Sequence, residues 1–422
     1  MSARLAIEGG TPVRTQPYPP WPYFWEEEKQ AVIEVLNSGK VNYWTGFQGM
    51  EFQKQFAAYC GVKHAVAVNS GTSALHVALA AAEVGPGDEV IVPSYTFIAT
   101  AMAVLQQNAV PVFADVDART YNLDPKSAEA QITGRTRAIL PVHLHGHPAD
   151  MDAFHALAEK HNLVIIEDAA QAHGAEYRGR KVGSLGHIAA FSMCQDKIFT
   201  TGGEGGMVTT NDDGFAEAAR TFKDHGYWEE ERRTLLEMEA LYPYIHHRLG
   251  FNFRMTEMQA VIGKVALTRL DEWVEKRRAN AHFLTKHLSQ HPEIEPPYEA
   301  PDCRHAFYKY AFRVRTERLR VSREEFVKAL GAEGIPCHAG VPPENQFEEV
   351  FTQRRGYGRT TCPFTCPWNA RQIDYSSVDT PVAREIGSRT VWLLVHPTLE
   401  ERDLRDAVDA IEKLLAAYAV KA

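Results

Sequence analysis

The sequence has no excess of positive charge: 45 lysines and arginines stand against 54 acidic residues, a formal net charge of −9. Nucleic acids and anionic membrane surfaces both require basic patches, so neither is an expected partner. No apolar run approaches the roughly 20 residues of a membrane span. The opening residues, MSARLAIEGG, lack an apolar signal core, and a cytoplasmic protein is the expectation. Cysteine is sparse. Its six positions, Cys60, Cys194, Cys303, Cys337, Cys362 and Cys366, are scattered rather than framed, which predicts reduced thiols. Cys362 and Cys366 in CPFTCPW suggest a metal pair, but no second pair completes four ligands. Internal repeats and low-complexity tracts are missing as well.

What is present is an ordinary globular composition, 45% hydrophobic and 23% charged, in 422 residues, enough for two domains with a large core. Residues 1–25 are rich in proline and aromatics and read as an arm laid over a surface. Residues 26–254 read as a large domain and 255–422 as a small one. Between 65 and 210 apolar strands alternate with amphipathic helices, the pattern of a mainly parallel sheet covered on both faces. Strands are expected at 65–69, 89–93, 110–114, 138–142, 163–167, 188–193 and 207–210, and helices at 26–36, 72–83, 150–161 and 212–222. The stretch 41–49 reads as a loop, and the charged stretch 223–248 as a solvated helix or flap. Residues 255–288 contain no proline and predict one long helix linking the domains. Beyond it, strands are expected at 308–315 and 390–395, with helices at 322–330 and 400–418.

In such sheets ligands gather at the carboxyl ends of strands. FSMCQDKIFTTGGEGG, residues 191–206, places Lys197 there, between a strand and a glycine-rich turn. One amine held in a partly desolvated pocket is what covalent amine catalysis requires, so Lys197 reads as the lysine that forms a Schiff base with pyridoxal phosphate. A solvated loop lysine is the alternative. LVIIED ends on Asp168, placed to pair with a pyridinium nitrogen and keep that ring an electron sink. Ser70-Gly71-Thr72-Ser73 follows another strand at a helix start, a natural seat for a phosphate.

NSGTSALH, VIVPSYTFIATA, VHLHGHPADM, EDAAQAHGA, FSMCQDKIFTTGGEGGMVTTN and LGFNFRMTEMQA occur in that order. The chain thereby resembles the DegT-type sugar aminotransferases, a branch of the fold-type I pyridoxal phosphate enzymes, over residues 20–278 and more loosely to the end. The resemblance implies an α/β fold with a seven-stranded-type sheet and a smaller α+β domain. It implies Gly71, Thr72, Ser73 and Ser192 at the cofactor phosphate, Phe97 stacked on its ring and Gln171 at its phenolic oxygen or ring. It implies that Asn252 reaches the phosphate of a neighbouring subunit, hence a homodimer with shared sites, and makes Arg254 a substrate contact. L-glutamate or L-glutamine would be the amino donor, and a keto sugar or cyclitol ketone the acceptor. The CPW at 366–368 and the strand leading to His396 look more like the cyclitol branch.

Further substrate-side candidates are His143, Tyr308, Tyr310 and His396, each of which also fits a structural role. His143, His145 and His147 alternate like ligands, but no carboxylate completes a metal set in the sequence pattern. TTGGEGG precedes a strand and is therefore not a dinucleotide fingerprint. The related sugar dehydratases carry histidine where Lys197 stands, so the lysine favours transamination. A broad-acceptor transaminase of small ketones or aldehydes, a lyase of the same fold and a cofactor-binding regulator without turnover remain the alternatives.

Overall fold

The computed structural model describes residues 4–241, 245–342, 344–368 and 372–420. Seven strands form the main sheet: β1 (His64–Val68), β2 (Glu89–Pro93), β3 (Val110–Ala114), β4 (Thr136–Ile139), β5 (Val164–Asp168), β8 (Ile188–Ser192) and β9 (Gly206–Thr210). Two short strands, β6 (Glu176–Tyr177) and β7 (Arg180–Lys181), lie between β5 and β8 in the chain and pair outside this sheet. The spatial order is β1-β9-β8-β5-β4-β2-β3. β8, β5, β4, β2 and β3 run parallel, and β9 is antiparallel to both its neighbours. β2, β3 and β8 are buried at every residue, because helices cover both faces and leave no polar side for the strand to show.

The helices start where short polar side chains accept first-turn N–H groups. Ser70 caps α3 (Gly71–Ala81), Asp150 caps α6 (Met151–His161) and Asp212 caps α7 (Asp213–Lys223). α1 (Glu26–Ser38), α4 (Ala99–Gln106) and the short α5 (Pro125–Ala130) complete the layers with α2 (Gln48–Cys60). α2 begins inside the stretch read as a loop and buries Phe52, Phe56 and Cys60 against the sheet. Within 223–248, α8 (Glu229–Glu237) forms; residues 242–244 lie outside the described residues.

The expected single helix over 255–288 is two: α9 (Glu257–Leu267) and α10 (Leu270–Leu288). The sequence holds no breaker between them. Arg269, at the junction, pairs instead with Glu27 and Glu28 of α1, so a tertiary contact sets the bend. α10 packs with α11 (Arg323–Ala332) and the last helix, α12 (Glu401–Tyr418), around a second sheet of β10 (Ile294–Glu295), β12 (Tyr310–Val314), β14 (Thr390–Leu393) and β13 (Cys337–His338), antiparallel throughout. β11 (Cys303–Arg304) pairs with β6 in a small ribbon.

The N-terminal segment is laid along the second sheet's layer. Leu5 is buried in its core, the backbone N–H groups of Ala6 and Val13 donate to the buried Glu333 carboxylate, and Arg14 pairs with Asp403 and Asp406. Cys362 and Cys366 are joined in a disulfide, their Cα atoms 5.2 Å apart, so the expectation of reduced thiols is corrected for this pair; a four-residue separation with a turn brings them within bridging reach.

Candidate active site

The carboxyl ends of β1, β2, β5 and β8 meet on one edge of the main sheet, and the candidate residues follow them. Lys197 lies in the turn after β8, its N–H donating to the Cys194 carbonyl at 3.1 Å. It is half-buried, with Nζ 4.9 Å from the centroid of the Tyr308 ring. Its own carbonyl accepts the indole N–H of Trp21 at 2.9 Å. Trp21 is in turn stacked at 6.1 Å on His396 and meets Trp273 edge-on at 5.2 Å.

Asp168 closes β5 and is 4% exposed. Oδ2 accepts from the Thr100 hydroxyl at 2.8 Å and Oδ1 from the Ala170 N–H at 3.1 Å. Burial raises its pKa, with these hydrogen bonds and the nearby Lys197 charge partly opposing the rise. Among the described residues no cation lies within ion-pair distance of it, so a protonated ring nitrogen would supply the counter-charge that this carboxylate lacks. Phe97, which without the family resemblance would read as a core residue, is 58% exposed just after β2. An exposed aromatic face at this strand end fits a planar ring. Gln171 is buried, its Oε1 accepting the His145 N–H at 2.8 Å.

The helix start at Ser70 is built as an anion seat. Ser70 Oγ accepts from the Ser73 N–H at 3.1 Å, and Ser73 Oγ donates to Asn69 Oδ1 at 2.7 Å. This leaves the N–H groups of Gly71 and Thr72, which have no intrahelical partner, at the positive end of α3. Ser192 faces them: a Cβ on Gly71 would fall 2.4 Å from Ser192 Cβ. A Cβ on Gly206 would fall 2.2 Å from the Ser70 carbonyl oxygen, which explains a glycine where β9 passes the seat. The pieces therefore fit pyridoxal phosphate: a cradle for the phosphate, an exposed aromatic face, a buried carboxylate and a neighbouring amine.

The substrate-side candidates separate. Tyr308 comes to Lys197, and its hydroxyl makes a short hydrogen bond to Asp196. His396 is buried beside Trp21, with Nδ1 2.9 Å from the Thr398 hydroxyl, and burial pulls its pKa down to about 3. Tyr310 is not brought to the site. It is fully buried in the second sheet's core with its hydroxyl on Thr285, because Tyr308 precedes the ladder of β12 whereas Tyr310 is its first paired residue.

His143 is likewise committed elsewhere. Nδ1 accepts the Ala149 N–H at 2.9 Å, so the hydrogen sits on Nε2 and is donated to Glu167 Oε2 at 2.9 Å, with both side chains fully buried. Glu167 is the carboxylate the sequence pattern did not reveal. His147 binds the Pro148 carbonyl and accepts from the Ala300 N–H. The histidines thus serve separate networks, and no group of three metal-ligating side chains assembles among the described residues. Asn252 is exposed, and Arg254 pairs with the buried Asp224.

Sequence reasoning missed four neighbours. Thr100 sits one helical turn into the segment that carries Phe97. Lys309 is next to the singled-out Tyr308. Trp21 and Arg277 arrive from distant segments; Arg277 is fully buried, donates to the Tyr308 carbonyl at 3.2 Å and lies 5.1 Å from the Trp21 ring centroid.

A mainly parallel sheet flanked by helices, with a lysine and a buried acid at its carboxyl edge, fits the α/β class of pyridoxal phosphate enzymes. The chain belongs to the DegT/DnrJ/EryC1/StrS aminotransferase family, whose model matches residues 22–412, and it is an aminotransferase. Members of this family depend on pyridoxal phosphate. The chain is 48% identical to the GDP-perosamine synthase of Caulobacter vibrioides over 73% of its own length and 80% of the relative's. It is 37% identical to the L-glutamine:2-deoxy-scyllo-inosose aminotransferase of Micromonospora echinospora, covering 98% of both. The crystal structure of an aminotransferase from Psychrobacter cryohalolentis superposes with a TM-score of 0.87 at 41% identity, over 95% of this chain and 99% of that one.

Proposed function

We propose that this aminotransferase holds pyridoxal phosphate on Lys197 and moves an amino group from L-glutamate or L-glutamine to the keto group of a sugar or cyclitol. The observation that carries the reading is the buried Asp168 carboxylate, without a cation of its own, at the strand end beside Lys197. The relatives' sugar and cyclitol substrates support the acceptor class.

The cofactor supplies, when bound, an electron sink for the pair left when the donor's Cα–H bond breaks. Lys197 Nζ takes that Cα proton and, in the second half of the cycle, returns a proton to the carbon that bore the keto oxygen. Asp168 would keep the proton on the ring nitrogen. Gly71, Thr72, Ser73 and Ser192 would hold the phosphate, Phe97 would stack on the ring and Gln171 would contact its phenolic oxygen or ring. Tyr308 and Asp196 set the position of the lysine, and Arg254 and His396 border the substrate. Asn252 serves the phosphate of a second copy in a homodimer; its exposure and that of Leu249 and Phe251 beside it support such a contact.

The test is a pair of half-reactions. The enzyme loaded with pyridoxal phosphate should lose its visible absorbance with L-glutamate or L-glutamine and regain it with nucleotide-linked keto sugars or inososes. Recovery with small ketones or aldehydes alone would assign a broad-acceptor transaminase instead. No change with any amino donor would remove the reading.

A further inference from the structure

Lys309 immediately precedes the ladder of β12, and its ammonium nitrogen lies 4.6 Å from the centroid of the same Tyr308 ring that Lys197 approaches to 4.9 Å. Two cations therefore approach one phenol. The Lys309 side chain is 11% exposed, yet its ion-pair partner, Asp196 Oδ2, is 3.7 Å away, beyond hydrogen-bond length. Asp196 is itself committed, accepting the short hydrogen bond from Tyr308. Arg277, on the Tyr308 carbonyl, adds a third, fully buried cation. With Asp168 turned to Lys197, Asp196 is left to answer both Lys309 and Arg277 while it also accepts from Tyr308. Burial pulls Lys309 down to about 8, as befits an ammonium short of counter-charge.

The missing anion has to lie close to the carbon that reacts at Lys197. An α-amino acid carries its carboxylate on that very carbon. A nucleotide-linked sugar carries its diphosphate several bonds from the keto carbon, and a cyclitol carries no anion. We propose that Lys309 binds the α-carboxylate of the amino donor and so selects an amino acid over a simple amine. This inference rests on the assignment of Lys197 as the reacting lysine. The Lys309 ammonium donates to the carboxylate, while the hydrogen bond to Asp196 fixes the Tyr308 ring that both lysines approach.

The test is equilibrium binding to the pyridoxal phosphate-loaded enzyme by calorimetry. The probe is 2-methyl-L-glutamine, which has no Cα proton to lose and whose sole carboxylate is the one in question. Lys309→Met should weaken it roughly 10- to 100-fold, the range of a hydrogen bond to a charged group. The same probe with that carboxylate converted to an amide should bind the parent enzyme and the variant alike. Lys309→Arg should restore most of the affinity. Equal affinity of the acid probe for parent and Lys309→Met overturns the inference and leaves the function standing. So does a Lys309→Met defect seen only with nucleotide-linked sugars, which would give Lys309 to the acceptor. A parent enzyme that binds no amino-acid probe overturns both.

Discussion

The indole N–H of Trp21 donates to the carbonyl of Lys197 at 2.9 Å, joining two residues 176 positions apart in the chain. The N-terminal segment is thereby a wall of the site. Trp21→Phe keeps an aromatic ring against Trp273 but removes the hydrogen bond. It should lower stability by about 1 kcal/mol and reduce kcat several-fold. Thermal unfolding together with steady-state rates checks this, and an unchanged kcat would reduce Trp21 to packing.

Asp168→Asn preserves the shape of the side chain and removes its charge. The fold should remain, as judged by circular dichroism, while the half-reaction with the amino donor slows by about two orders of magnitude or more, because a neutral amide no longer holds the ring nitrogen protonated. Single-turnover spectroscopy measures the rate.

Gly71→Ala places a methyl group 2.4 Å from Ser192 Cβ. Either Ser192 or the helix start must shift, so the phosphate seat opens. Affinity for pyridoxal phosphate should fall roughly tenfold or more, since a displaced helix N-terminus loses both its N–H contacts and its dipole. Titration of the apo-protein with cofactor reads this directly.

Glu167 shapes the acid limit of stability. Burial alone would raise its pKa, but the hydrogen bonds from His143 and from the Gly186 and Gly183 N–H groups outweigh it and hold the carboxyl below its usual range. The unfolded chain therefore takes up this proton at a higher pH than the folded one. The stabilisation is complete above the ordinary glutamate pKa and is lost as the pH falls through the lower folded value. Glu167→Gln should be less stable at neutral pH and lose less between neutral and acid. Urea unfolding at several pH values decides it; parallel pH profiles would contradict the assignment.

Much of this was legible in the sequence. β2 and β3 lie where their apolar runs placed them, because a strand buried on both faces leaves a continuous signal. Asp168 stood out because it closes such a run, and Lys197 because it follows one in a glycine-rich turn. What stayed hidden depends on contacts between distant segments. The bend at Arg269 is set by acids on α1, and Trp21 and Arg277 reach the site from segments with no chemistry of their own. Tyr308 and Tyr310 look equivalent in YKY. Only the start of the β12 ladder, between them, sends one to the lysine and the other into the core.

The central claim is that one amine, that of Lys197, carries the cofactor. Borohydride reduction of the pyridoxal phosphate-loaded protein, followed by proteolysis and peptide mass mapping, locates the joined lysine irrespective of turnover. The account predicts a single modified peptide containing Lys197, absent in Lys197→Ala. Modification centred on Lys309 or any other lysine would contradict it.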